Sequence, residues 1–171
     1  MVQSGSEVRV PDAGLTFVRI HRDVPAAAAW LTPVCQRIKT MAERYTTEGD
    51  SAVTTVLAAY TQRDPRVGVW AIIRGEALVG HVMVKTREWD GETLGWIHQI
   101  EHDGIASQTS WDEALALVMR TWVPEVNAAY AAANLPTRVT RVVASTMHDA
   151  KFFERRAGFR PWRTLLIREV A

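Results

Sequence analysis

The densest run of chemically useful side chains is Trp96-Ile-His-Gln-Ile-Glu-His102. If it is a strand, alternation puts His98 and His102 on one face and Gln99 and Glu101 on the other. An imidazole or a carboxylate at such a place can draw a proton from a reacting group, directly or through water. His81, next to Gly80, either lines a cleft or is a partly buried, hydrogen-bonded side chain. Cys35 has no histidine near it in sequence and reads as a small core residue rather than a nucleophile. His, Asp and Cys show no metal-ligand spacing such as His-Glu-x-x-His, so no metal is expected.

A second chemical feature is basic. Arg138, Arg141, Lys151, Arg155, Arg156, Arg160 and Arg163 gather toward the C-terminus with few acids between them. Such a cluster suits a nucleotide phosphate or a nucleic-acid backbone, and equally a solvated helix face. The whole chain is nearly neutral, at +1 over 171 residues, which argues against a dedicated nucleic-acid binder. With 47% hydrophobic and 23% charged residues it can bury one sizeable core. A single cysteine rules out an intramolecular disulfide framework and fits a reducing, cytoplasmic setting. Met1 to Val10 lacks the apolar core of a signal peptide, and the apolar run Ala26 to Leu31 is too short to span a bilayer.

The elements that must position these side chains follow from periodicity. Residues 1–14 read as an N-terminal arm, loose or forming a short edge strand, and 15–171 as one domain. Leu15 to Ile20 alternates as a strand. A helix is expected from Asp23 as cap, with Pro25 in its first turn, to about Tyr45, interrupted or restarted at Pro33. A second helix runs from Asp50 or Ser51 to Gln62. Val67 to Ile73, Ala77 to Thr86 and Thr93 to His102 then form a three-stranded meander, turning at Arg74-Gly75-Glu76 and at Trp89-Asp90-Gly91-Glu92, with Gly80 marking a bulge or close approach. Ser110-x-x-Glu113 is a capping box opening a helix that Pro124 kinks and that fades by Pro136. Arg138 to Ser145 is a strand, His148 to Ala157 a short helix, and Phe159 to Val170 a final strand or strand pair. The order β-α-α-β-β-β-α-β-α-β describes an α/β domain with a mixed sheet and helices on both faces.

Asp149-Ala-Lys-Phe-Phe-Glu-Arg-Arg-Ala-Gly-Phe159 resembles the last helix of the GNAT acyltransferase superfamily, where a small helix with Ala and paired aromatics ends in Gly-Phe and feeds the final strand. Ala150, Phe153, Gly158 and Phe159 occupy the matching positions, and the element order is that of the same superfamily over roughly residues 15–170. The resemblance implies a mostly antiparallel central sheet and transfer of an acyl group from acetyl-CoA to an amine by direct attack. It places the pyrophosphate loop at Glu101-His-Asp-Gly104-Ile-Ala106, with Ile100, Gly104, Ile105, Ala106 and Ser107 holding the cofactor through backbone N–H groups. Lys151 and Arg155 would approach its nucleotide end. Backbone N–H groups of a splayed strand would polarise the thioester carbonyl, and Glu101, where that strand opens, is the first choice as base, with His98 beside it. Glu101 stands where the family usually has Gln or Arg, and Asp103 adds a second carboxylate beside the expected pyrophosphate. Glu154 takes the place of the tyrosine that protonates the departing thiolate, and Met147 that of an asparagine.

Three functions follow. The first is an acyl-CoA-dependent N-acyltransferase acting on an unspecified amine. The second is a divergent enzyme of the same fold that modifies nucleic-acid bases in the manner of phage Mom proteins, using the basic cluster. The third is a non-catalytic binding or structural module with a decayed cofactor site. Seven tryptophans are compatible with a homodimer interface, but most read as packing.

Overall fold

The computed structural model describes residues 7–10, 14–45, 49–62, 64–102, 114 and 116–144, with the backbone alone for 8–10, 44–45, 62, 99–102 and 144. The expected last helix, the final strand and the Gly104 loop therefore lie outside the described residues. Six strands form one sheet in sequence order: β1 (Glu7–Val10), β2 (Leu15–Arg19), β3 (Val67–Arg74), β4 (Ala77–Trp89), β5 (Glu92–His102) and β6 (Val142–Ala144). The first five are antiparallel neighbours, while β5 and β6 run parallel. A parallel pair needs a crossover, and here the helical stretch ending at Ala132 supplies it.

The two hairpins of the meander form where the sequence expected them. Arg74 pairs with Ala77 around Gly75 at φ 60°, and Trp89 pairs with Glu92 around Asp90 at φ 53° and Gly91 at φ 77°. Asp-Gly with both residues at positive φ twists in the sense that antiparallel strands require. The return strand β4 runs to Trp89, beyond the expected end at Thr86. A register shift opposite Ile72 and Ile73 leaves Val79 as an extra residue beside Gly80.

Helices α1 (Ala27–Tyr45) and α2 (Gly49–Gln62) cover one face of the sheet. Ala27, Val34, Ile38 and Ala42 recur at helical spacing and meet Ala52 and Val56 of α2 together with Val69, Ala71, Ile73 and Met83 of the sheet. Lys39 Nζ lies 2.7 Å from Asp50 Oδ1 and ties the two helices at the surface. Two expectations about α1 need correction. It begins at Ala27, because residues 21–26 form turns in which the Val24 amide donates to the His21 carbonyl and the Ala27 amide to the Val24 carbonyl. It also runs through Pro33 without a break, since burial of one continuous apolar stripe outweighs the single hydrogen bond that proline removes.

The other face is covered by a helical stretch that changes pitch. Val118–Trp122 is a π-helical turn, closed by the Val123 amide donating to the Val118 carbonyl, and α3 (Val123–Ala132) follows. The widened turn falls just before Pro124, the residue expected to kink this helix, and relieves the clash of its ring with the preceding turn. It seats Trp122, fully buried, with the indole N–H donating to the Pro65 carbonyl at 3.0 Å. Leu117, Val118, Trp122, Val126 and Tyr130 pack on Phe17, Trp70, Ile72, Val82, Val84 and Ile97. Arg19 is 7% exposed, lies 4.3 Å from the centroid of a Trp70 ring and pairs with Glu125 of α3 at 3.2 Å. After α3, Asn127 clasps Val139 in both directions, Nδ2 donating to its carbonyl at 2.9 Å and Oδ1 accepting from its amide at 2.7 Å. That clasp delivers the chain to β6, which spans three residues of the expected Arg138–Ser145 segment.

Candidate active site on the bulged strand

Along β4 and β5 the register runs Lys85 to Trp96 and Val84 to Ile97, then Met83 to Gln99. His98 is the extra residue, a β-bulge in the middle of the strand that carries the predicted chemistry. A bulge bends its strand and breaks the alternation of faces. Pairing of β5 with β6 is described from Gly95 opposite Val142 to Ile97 opposite Ala144, on the side of the bulge toward the hairpin turn. The plain alternation on which His98 and His102 were expected to share a face is interrupted here. Beyond the bulge Gln99 stands opposite Met83, Ile100 opposite Val82, Glu101 opposite His81 and His102 opposite Gly80.

Packing behind the strand holds it there. A Cβ on Gly95 would lie 3.0 Å from Trp122 Cζ3, 3.2 Å from Val139 Cγ1 and 3.2 Å from Val142 Cγ2. Only glycine lets the Trp122 ring lie this close to the β5–β6 junction. The Gly95 amide also donates to the Arg141 carbonyl at 2.9 Å.

His98 is half-buried, and its pKa is pushed down to about 4, first by burial and then by the positive charges of Lys85 and Arg87. At neutral pH the ring is a neutral imidazole. So low a pKa makes it a poor proton acceptor on its own, but leaves it able to orient an amine or a water through one donor and one acceptor nitrogen. His81 is fully buried in β4. Burial likewise raises the Cys35 thiol pKa, in keeping with a core residue.

The remaining sequence-expected residues divide simply. Glu101 and Ile100 lie on β5 past the bulge, described by their backbone. Gly104, Ile105, Ala106, Ser107, Lys151, Glu154 and Arg155 lie outside the described residues. Of the basic cluster, Arg138 is exposed, and Arg141 pairs with Glu92 at 3.1 Å. Sequence reasoning missed one group altogether: Arg87 lies over two aromatic rings, 4.7 Å from Trp96 and 5.4 Å from Trp89. The signal was available. Strand alternation pairs Arg87 with Trp89, and the two-residue Asp90-Gly91 turn fixes Trp96 as the diagonal neighbour across the hairpin.

The sequence matches no family model and no curated protein. Its three-dimensional likenesses are clear. The structure of AAC(6')-Iy in complex with the bisubstrate analogue CoA-S-monomethyl-acetylneamine matches with a TM-score of 0.63 at 10% identity, covering 92% of this chain and 99% of that one. A Trypanosoma brucei acetyltransferase matches at 0.53 and 15% identity, covering 91% and 99%. An aminoglycoside acetyltransferase from an uncultured soil metagenomic sample matches at 0.52 and 12%, covering 92% and 97%. The chain thus has the fold of the GNAT acetyltransferases, as its element order implied.

Proposed function

We propose that the chain is an N-acyltransferase that moves an acyl group from an acyl-CoA, with acetyl-CoA the expected donor, to a primary amine. The observation that carries this reading is the His98 bulge in β5, next to the segment that pairs in parallel with β6, in a chain with the fold of acetyltransferases. A bulged residue stands outside the regular ladder, and a backbone N–H freed in this way can donate to a polarised carbonyl, which suits a thioester lying against β5. In the reaction the amine nitrogen attacks the thioester carbon, the C–N bond forms and the C–S bond breaks. Glu101 is assigned to take the amine proton, with neutral His98 orienting the amine or a water. Glu154 is assigned to return a proton to the thiolate. Ile100, Gly104, Ile105, Ala106 and Ser107 are assigned to the pantetheine and pyrophosphate, and Lys151 and Arg155 to the nucleotide. Among the described residues no helix is long and apolar enough to cross a membrane, and acyl-CoA chemistry with a single buried cysteine fits a cytoplasmic enzyme.

Thermal unfolding with acetyl-CoA, CoA and a control nucleotide tests the donor. A ligand that binds only the folded state raises the midpoint as its concentration rises. Thiol release with a panel of amines, neamine among them, tests the transfer, and Glu101→Gln is expected to lower kcat about 10²- to 10⁴-fold. No midpoint shift at millimolar acetyl-CoA sinks the reading. Ping-pong kinetics would sink direct attack.

A further inference from the structure

The described surroundings of the bulge are basic and aromatic. By strand alternation Lys85 and Arg87 continue the face of β4 that carries His81 and Met83, the face toward α1 and α2. Trp96 stands opposite Lys85, two residues before His98, a separation of about 7 Å along the strand. The Arg87 guanidinium lies over Trp96 and Trp89, and among the described residues it forms no ion pair. Stacking on rings fixes the plane of a guanidinium while leaving its N–H edge for a partner, and that edge matches the two oxygens of a carboxylate or phosphate. A polycationic acceptor would meet repulsion from the Arg87 guanidinium at this place.

We propose that Arg87, held over Trp89 and Trp96 beside the β5 bulge, docks an oxyanion of the acceptor, so that the acceptor is a primary amine bearing a carboxylate or phosphate. The distance along the strand suits a compact molecule whose amine reaches the bulge while its anionic group meets the guanidinium. This rests on the acyltransferase reading and deepens it by naming the class of acceptor.

The test compares matched pairs of acceptors with acetyl-CoA: β-alanine against β-alaninamide, and O-phosphoethanolamine against ethanolamine. The two pairs separate a carboxylate from a phosphate as the oxyanion. A charge-assisted, two-pronged contact predicts that kcat/KM favours the anionic member of at least one pair by about 10- to 100-fold, mainly through KM. Arg87→Gln should bring that ratio to within about twofold of one. Arg87→Lys should keep part of it, because charge survives while the planar fork is lost. Equal unfolding midpoints for the parent and both variants would show that folding is not the cause. Turnover of neutral amines or neamine with no preference for an anionic partner would overturn the acceptor assignment and leave the acyltransferase reading standing. Absence of both acetyl-CoA binding and turnover of every amine would overturn the two together. A preference that survives Arg87→Gln would also overturn it, placing the oxyanion elsewhere.

Discussion

Replacing Gly95 with alanine tests whether the β5–β6 junction is as tightly closed as its geometry states. The new methyl group would meet Trp122 Cζ3 at 3.0 Å and two valine methyls at 3.2 Å. Each neighbour is restrained. Trp122 is held by its hydrogen bond to the Pro65 carbonyl, Val139 by the Asn127 clasp, and Val142 by its register opposite Gly95 itself. The strand cannot retreat without stretching the bond from the Gly95 amide to the Arg141 carbonyl. Overpacking of this kind costs about 1–3 kcal/mol. For a chain of this length that lowers the unfolding midpoint by about 2–12 °C. Urea unfolding of Gly95→Ala, Val142→Ala and the double variant measures it. Val142 is half-buried, so its own truncation is mild, and removing Cγ2 should make the alanine at 95 less costly. Contacting residues couple by about 0.5–3 kcal/mol. The acyl-transfer rate should fall as well, since the displacement propagates to the bulge three residues on. A Gly95→Ala variant as stable as the parent, with effects additive to Val142→Ala, would refute the reasoning.

Two further outcomes can be checked directly. The folded-state pKa of His98 is about 4, below the ordinary value of 6.5, so the unfolded chain binds the extra proton as pH falls. The stability linked to His98 is therefore complete above pH 6.5 and is lost on acidification from there toward pH 4, by at most about 1.4 kcal/mol per pH unit. His98→Gln should flatten that part of the profile, and a ring resonance titrating near 6.5 would contradict the burial argument. Glu125→Gln leaves Arg19, 7% exposed, without its carboxylate. Because the Glu125 side chain is 46% exposed, the loss should be about 1–3 kcal/mol, between the values for surface and buried pairs. High salt should narrow the gap between variant and parent in chemical unfolding, and a gap insensitive to salt would speak against an electrostatic origin.

Much of the architecture was legible because it rests on local signals. The meander was visible from alternation and from Gly75 and Asp90-Gly91, and Pro124 marked the place where the helix changes pitch. Features that depend on partners distant in sequence were not. Nothing in Ile97-His98-Gln99 marks an extra residue, since no Gly or Pro stands there and the bulge exists only relative to Met83 and Val84 of the neighbouring strand. The low pKa of His98 depends first on burial and then on Lys85 and Arg87 across the hairpin. Residue types single out β5 as the candidate strand, but its bulge is visible only from pairing with β4.

The sheet divides the interior into two apolar compartments. Trp70 and Ile72 of β3 belong with α3, whereas Val69, Ala71 and Ile73 of the same strand belong with α1 and α2. Changes on opposite sides share few partners, so their effects on stability should largely add. One side can then drift in sequence without a compensating change on the other. The wall carrying Arg87 and Met83 is open to remodelling, while the Trp122 wall that fixes β5 against β6 stays as it is. Such separability lets the surface around Arg87 change while the junction of β5 with β6 is left in place.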